Sequence, residues 1–416
     1  MCKLWILWIS VFVVGCSATS LPSSSDAEVR ASQRSAQGGY RVLYAFRGSR
    51  DGALPMAGLL PIGGGTMIGT TFAGGSNLCG GSGCGTLFTV NEAGSETVLH
   101  AFQKDHKLGR DGAGPEGEFS GYGTTIAGGL GCSDASHGGG CGVIFTVTRD
   151  GNERVVYRFK GTPEGQAPIG SLAAPLGSNA ALFGVTELGG AYNKGTLYSW
   201  IPSKKPRTLH SFYGAPDGAF PLAGLSLVGN NAFYGTTSSG GNACSSYGGC
   251  GTVFSVDTDG DFATLYSFKG GSDGAAPAAA MDGAVGVTIS GGKNCPSAID
   301  GGGCGTIFKI EGSKRESVLY RFRGYPSDGA QPISIQRING VFYGVTQTGG
   351  AHNFGTIFTF AKNKEHVIYS FKGGTNGAFP IGFLAQLYDG SPLYGVTESG
   401  GTGCGSLGCG VIYSLK

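Results

Sequence analysis

Apolar runs about five residues long recur along nearly the whole chain, separated by Gly, Asp and Asn. The run VLYAF, Val42 to Phe46, returns as VLHAF, VVYRF, TLHSF, TLYSF, VLYRF and VIYSF, ending at Phe102, Phe159, Phe212, Phe268, Phe322 and Phe371. A turn follows each copy: DGALP, DGAGP, EGQAP, DGAFP, DGAAP, DGAQP and NGAFP, starting at Asp51, Asp111, Glu164, Asp217, Asp273, Asp328 and Asn376. These starts lie 60, 53, 53, 56, 55 and 48 residues apart. Next comes G-[TV]-T-x-x-G-G, as in GTTFAGG from Gly69, and then G-[TV]-[LVI]-[FY], as in GTLF from Gly85. The apolar segments are rich in Val, Ile, Thr, Tyr and Phe and carry apolar residues on both faces, which predicts short strands buried on both sides.

Each repeat therefore reads as four strands and almost no helix. Strand A follows the DGxxP turn, B ends in G-[TV]-T, C is the GTVFSV type and D the VLYSF type. Seven such units predict an all-β, seven-bladed β-propeller of four-stranded blades. The phase of the repeat supports closure, because the repeat region opens on an isolated D strand at Val42 and its seventh C strand, GVIYSL, ends beside Lys416. The N-terminal strand then completes the last blade and removes an open edge. By sequence the blades are 47–103, 104–159, 160–212, 213–268, 269–322, 323–371, and 372–416 completed by 41–46. Blade 5 has a shortened A to B region, AAAMDGAVGVT.

Composition refines this picture. Gly and Pro together, 81 and 17 of 416 residues, approach the low-complexity range, yet 40% hydrophobic and 11% aromatic residues are enough to support a packed chain. Collagen is excluded, since Gly falls short of one third and has no G-X-Y period. Five Gly per repeat, 35 in all, belong to the motif itself. A formal net charge of +2 gives no field that would draw nucleic acid or an anionic membrane surface.

The first residues read as a targeting segment. Lys3 precedes an apolar run, Leu4 to Val14, of signal-peptide length. It ends in VVGC, Val13 to Cys16, which resembles a bacterial lipobox and implies a lipid on Cys16 after cleavage; Ser17 in the next position suits outer-membrane sorting. The expected organisation is a signal peptide, 1–15, a lipidated N-terminus and flexible tether, 16–39, and the propeller, 40–416. The expected membrane contact is through the lipid alone.

The segments LYSFKGGSDGAAP, FYGTTSSGG and GCGTVFSV resemble the Gloeo_Verruco (GloVer) tandem repeat of exported and surface bacterial proteins over residues 40 to 416. The resemblance implies export and anchoring; it carries no catalytic residues over to this chain.

Ten cysteines fall two by two in B to C loops: Cys79 with Cys84, Cys132 with Cys141, Cys244 with Cys250, Cys295 with Cys304, and Cys404 with Cys409. In an exported chain this is a disulfide framework. Zinc is the rival reading, but no His recurs beside the pairs and the spacings vary, so no metal or cofactor is expected. Blades 3 and 6 have short loops instead, GGAYNKGT and GGAHNFGT.

The D to A turns and B to C loops of a propeller share one face. Its seven turn residues read mainly as turn chemistry, in which an Asp caps its own backbone, and the recurrent Thr71, Thr125, Thr186, Thr237, Thr288, Thr346 and Thr397 as strand-end hydroxyls bonded to nearby loops. Residues that break the repeat are the candidate ligand contacts: Asp105, His106 and Arg110 in the longest D to A loop, and His137, Tyr192, His352 and Asn353 in B to C loops. No catalytic or nucleotide-binding motif is present. The expected role is a monomeric binding or scaffold module for a glycan, peptide or envelope protein. A polysaccharide hydrolase or lyase using mouth carboxylates is the alternative.

Overall fold

The computed structural model describes residues 39–416 apart from residues 78, 103–110, 130–131, 133–138, 149–150, 177–180, 243, 245–247, 293–294, 296–301 and 313–314. Signal peptide, Cys16 and nearly all of the tether lie outside the described residues. Seven antiparallel sheets follow one another along the chain, six of them pairing their strands in sequence order. Blade 6 is typical, with Gly329–Ile338, Val341–Gly349, Thr356–Ala361 and Lys364–Ser370 running from A to D. Blade 7 consists of Ala378–Gln386, Leu393–Ser399 and Val411–Leu415, completed by Arg41–Ala45. Arg41 pairs with Ser414 and Ala45 with Val411, so the expected closure is present. One blade departs from four strands: blade 5 has only Val285–Thr288, Thr306–Glu311 and Arg315–Arg321. Its shortened A to B region turns back at once, leaving isolated bridges from Ala275 to Ser290 and from Asp282 to Val285.

The sequence blocks turn out to be the contacts between blades. The D-strand Phe of each blade meets the C-strand aromatic of the next, fully buried and roughly edge to face: Phe46 with Phe88, Phe102 with Phe145, Phe159 with Tyr198, Phe212 with Phe254, Phe268 with Phe308, Phe322 with Phe358 and Phe371 with Tyr413, at 5.0–5.3 Å between centroids. Such pairs add about 0.5–1.5 kcal/mol each beyond their buried area. The B-strand Gly lies against this C-strand ring; a Cβ on Gly235 would sit 2.3 Å from Phe254.

A second contact joins every turn to the preceding blade. The fourth residue of each DGAxP-type turn donates its N–H to the carbonyl before the preceding C-strand Gly, as in Leu54 to Cys409, Phe220 to Lys194 and Phe379 to Phe354, all at 2.9 Å. Reaching that carbonyl puts Leu54, Ala167, Phe220, Ala276, Gln331 and Phe379 in the left-handed region, at φ 53–57°. Such a conformation costs a non-Gly residue about 1 kcal/mol or more. The turn's Pro then packs on the C-strand Gly: a Cβ on Gly251 would lie 2.6 Å from Pro277 Cδ and 2.3 Å from the Thr237 carbonyl. Inside each blade the B-strand Thr is buried and fixed, donating to the carbonyl two residues on and accepting from the C-strand N–H; Thr237 does so at 2.9 and 3.2 Å. The Thr hydroxyls therefore bond within their own blade.

Gly251 and Gly121 both have positive φ, 89° and 95°, but nothing lies within 4 Å of a Cβ on Gly121. Gly251→Ala should thus destabilise by about 2–3 kcal/mol more than Gly121→Ala, a difference read by paired thermal melts.

Candidate functional site

All five expected disulfides are formed. They lie on one face, beside the D to A turns: a Cβ on Gly48 would be 2.4 Å from Cys404 Sγ, and one on Gly270 would be 3.1 Å from Cys250 Sγ. In the two blades without cysteines a side chain covers the same place. Lys194 Nζ donates to the Tyr213 carbonyl at 2.9 Å, and the Phe354 ring stands over Gly373.

Of the candidate ligand contacts, Asp105, His106, Arg110 and His137 lie outside the described residues. Asn353 has φ 61° and its Oδ1 accepts the Gly349 N–H at 2.9 Å, so its amide oxygen holds its own loop together. His352 is exposed. Tyr192 is 60% exposed, with its ring 5.8 Å from that of Tyr213, itself 43% exposed. These two form an aromatic pair that the spacing of the sequence did not announce, since Tyr213 belongs to the following turn.

Five of the six turn acids are tied to the D strand before them. Asp51 Oδ2 accepts Tyr44 Oη–H at 2.7 Å and the Arg47 N–H at 3.0 Å. Asp273 and Asp328 repeat this with Tyr266 and Tyr320, both at 2.8 Å. His210 Nε2 meets Asp217 at 2.8 Å, and His100 meets Asp111 at 3.1 Å. Glu164 pairs instead with Lys205, at 3.0 Å. A bulge in the C–D pairing, present in all seven blades, shifts the register just before the Tyr or His. Bulges re-aim side chains in this way.

The next blade adds a further layer. Two residues before each D motif stand Glu96, Glu153, Pro206, Phe262, Glu316, Glu365 and Tyr40. Phe262 stacks on His210 at 3.7 Å and Tyr40 on Tyr369 at 4.1 Å. The four Glu instead face turn acids. Burial, reinforced by the charges of Asp51 and Asp273, lifts Glu96 to about 7 and Glu316 to about 8. Glu365 is raised to about 8 by burial and by Asp328, and Tyr320 Oη lies 3.5 Å from its Oε2. Glu153 rises to about 7 by burial, with His100 opposing and Asp111 adding to the shift.

A further group of acids follows or lies on the A and B strands. Glu116 is half-buried and raised to about 8 by desolvation and by Glu187. Glu118, two residues on, is raised to about 7 by burial, opposed by hydrogen bonds from Ser171 and the Phe383 backbone. Burial also raises Glu398, which accepts from Gln347 Nε2 at 3.3 Å. Sequence reasoning missed these because it sought departures in loops. Aligning the repeats shows the signal: Glu116 replaces Met56, Ile169, Leu222, Ala278, Ile333 and Ile381, and Glu187 and Glu398 occupy the place of Phe72, Ile126 and Ile289.

The Gloeobacter/Verrucomicrobia repeat model matches residues 79–299. No curated protein matches the chain. Among solved structures, a putative 6-phosphogluconolactonase from Bacteroides uniformis is 14% identical, with TM-score 0.46, covering 74% of this chain and 82% of its own. Pyrococcus horikoshii acylaminoacyl peptidase is 10% identical, with TM-score 0.46, and the match covers 88% of this chain; this chain spans about half of the peptidase, 52%. A putative TolB from Agrobacterium tumefaciens is 10% identical, with TM-score 0.38, covering 77% and 94%.

A carboxyl whose folded value lies above its unfolded value keeps its proton longer when folded. Its contribution to stability is complete below about pH 4.5 and is lost as pH rises to its folded value. For Glu96, Glu153, Glu316 and Glu365 that window ends at about 7–8. The melting temperature should therefore fall between pH 5 and pH 8.5, and the fourfold Glu→Gln variant should show a much flatter profile in the same scan.

Proposed function

The chain belongs to the Gloeobacter/Verrucomicrobia repeat family, and from that premise we propose that it is an exported binding or scaffold module, anchored in the outer membrane by a lipid on Cys16. Its disulfide-bearing face would engage a glycan, a peptide or an envelope protein. One observation carries this reading: each B to C loop of that face is tied by a disulfide or an Asn cap between described residues before any ligand arrives. Five are closed by disulfides, those of blades 3 and 6 are capped by Asn193 and Asn353, and most turn acids are held by the D strand of the blade before. Loops already ordered lose little conformational freedom on binding. Tyr192 and Tyr213 supply exposed aromatic surface of the kind that stacks on sugar rings or packs on peptide side chains. Asp105, His106, Arg110, His137 and His352 remain candidate contacts on sequence grounds.

Glycan-array and envelope-extract binding by the purified protein tests this. Binding should fall at least tenfold in Tyr192→Ala/Tyr213→Ala and on reduction of the disulfides; undiminished binding in both would refute the choice of face. Palmitate labelling should disappear in Cys16→Ser.

The polysaccharide hydrolase or lyase reading has one observation in its favour. Glu116 is a carboxyl that keeps its proton near neutral pH beside a second acid, Glu187, and an acid paired with a carboxylate is what glycoside hydrolysis uses. Release of new chain ends from envelope polysaccharides that vanishes in both Glu116→Gln and Glu187→Gln would support it. Release that survives both would exclude this pair.

A further inference from the structure

On the face opposite the disulfides, the inner ends of six blades surround a cavity of about 620 Å³. That is the size of a small-molecule site. Aliphatic side chains, Leu59, Leu227, Met281, Ile335 and Leu384 among them, share its lining with polar groups. Most of its polar groups already have partners. Gln336 exchanges both ends of its amide with the Leu384 backbone, at 2.6 and 2.8 Å. The Ser226 hydroxyl accepts the Gly283 N–H at 3.1 Å, and Asn339 donates to Asp389 at 2.6 Å. The Asp282 carboxylate accepts the Arg337 N–H, while the Arg337 guanidinium lies over the Phe342 ring, 4.5 Å from its centroid.

Glu118 is different. It reaches from blade 2 across to blade 7, where the Phe383 backbone bonds to it, and its Oε2 accepts the Ser171 hydroxyl at 3.3 Å. It passes where blade 1 has no side chain: a Cβ on Gly58 would lie 2.9 Å from Glu118 Oε1. Both of its partners are neutral donors. Among the described residues no Lys or Arg forms an ion pair with it; of the other charged groups of the lining, the Asp282 carboxylate is held by a backbone N–H and the Arg337 guanidinium by the Phe342 ring. A carboxylate half withdrawn from water without a counter-ion favours holding a proton or recruiting a cation.

We infer that this cavity binds a small molecule carrying an ammonium group on an apolar body, with the ammonium seated on Glu118 and the body against the aliphatic side chains. An anionic ligand would face Glu118 directly, and a neutral one would leave its charge unmet. The inference is independent of the opposite face, so Tyr192→Ala/Tyr213→Ala leaves it untouched.

Calorimetric titration of the purified protein with n-hexylamine tests it, with 1-hexanol and hexanoate as matched probes. The amine should bind at least tenfold more tightly than either. Its affinity should rise about tenfold from pH 6 to pH 8, because a group titrating near 7 goes from about one tenth to nine tenths ionised while the alkylammonium stays charged. Glu118→Gln should abolish both the preference and the pH dependence, and Leu227→Trp, which fills the cavity with Glu118 in place, should abolish binding. If Glu118→Gln does not fold, the wild-type pH profile and Leu227→Trp decide. Equal binding of hexanol, a flat pH profile, or no binding of any probe at millimolar concentration overturns the inference.

Discussion

The fold depends on one close approach, made seven times: the turn that starts a blade presses its Pro on the C-strand Gly of the blade before and donates an N–H to the carbonyl ahead of that Gly. Everything near it is shaped to permit it. The residue making the bond accepts a left-handed backbone, although six of the seven positions hold Leu, Phe, Ala or Gln side chains that would be more relaxed elsewhere. The first Gly of the GG pair exists because the turn's Gly lies where its Cβ would be; for Gly240 the distance to Gly218 Cα is 2.6 Å. Strain is repeated because adjacency between blades repeats it.

The same contact explains why cysteines sit where they do. In five of the seven junctions the acceptor carbonyl belongs to the second cysteine of a pair: Cys84, Cys141, Cys250, Cys304 and Cys409. Each disulfide thus fixes a loop and, with it, the carbonyl on which the next blade hangs. Lys194 and Phe354 take that place in the other two junctions, and there the loops are short enough for an Asn to hold them. Rigidity of the loop face and cohesion of the ring are one property.

Much of this was legible in the sequence, since repeats, their phase, the ring closure and the cysteine pairs depend on residues that recur at matching positions. Blade 5 was legible too, as a gap in the A to B region. The pairing of Tyr44 with Asp51, by contrast, was read as an Asp serving its own turn; the phenol partner appears only because a bulge turns it toward the acid. The Glu96 and Asp51 contact joins the two ends of one blade, at a position where the repeat tolerates Pro, Phe and Tyr as well as Glu, so no motif marks it. Glu116, Glu118 and Glu187 were hidden for another reason. They sit on or beside strand segments rather than in the loops, and only the packing of neighbouring blades brings Glu116 to Glu187 and Glu118 to Ser171 and Phe383.

Closure carries a consequence for the order in which the molecule can assemble. Six blades pair strands from one continuous stretch of chain, whereas blade 7 brings together Arg41 and Ser414, about 370 residues apart. Joining ends that distant costs roughly 5 kcal/mol of chain entropy, a cost that falls steeply once the intervening blades have stacked and already hold the two ends near each other. Tyr40, stacked on Tyr369 and bonded to the Asn376 carbonyl, is then the last piece to seat: it docks on a surface that exists only when blade 6 and blade 7 are in place.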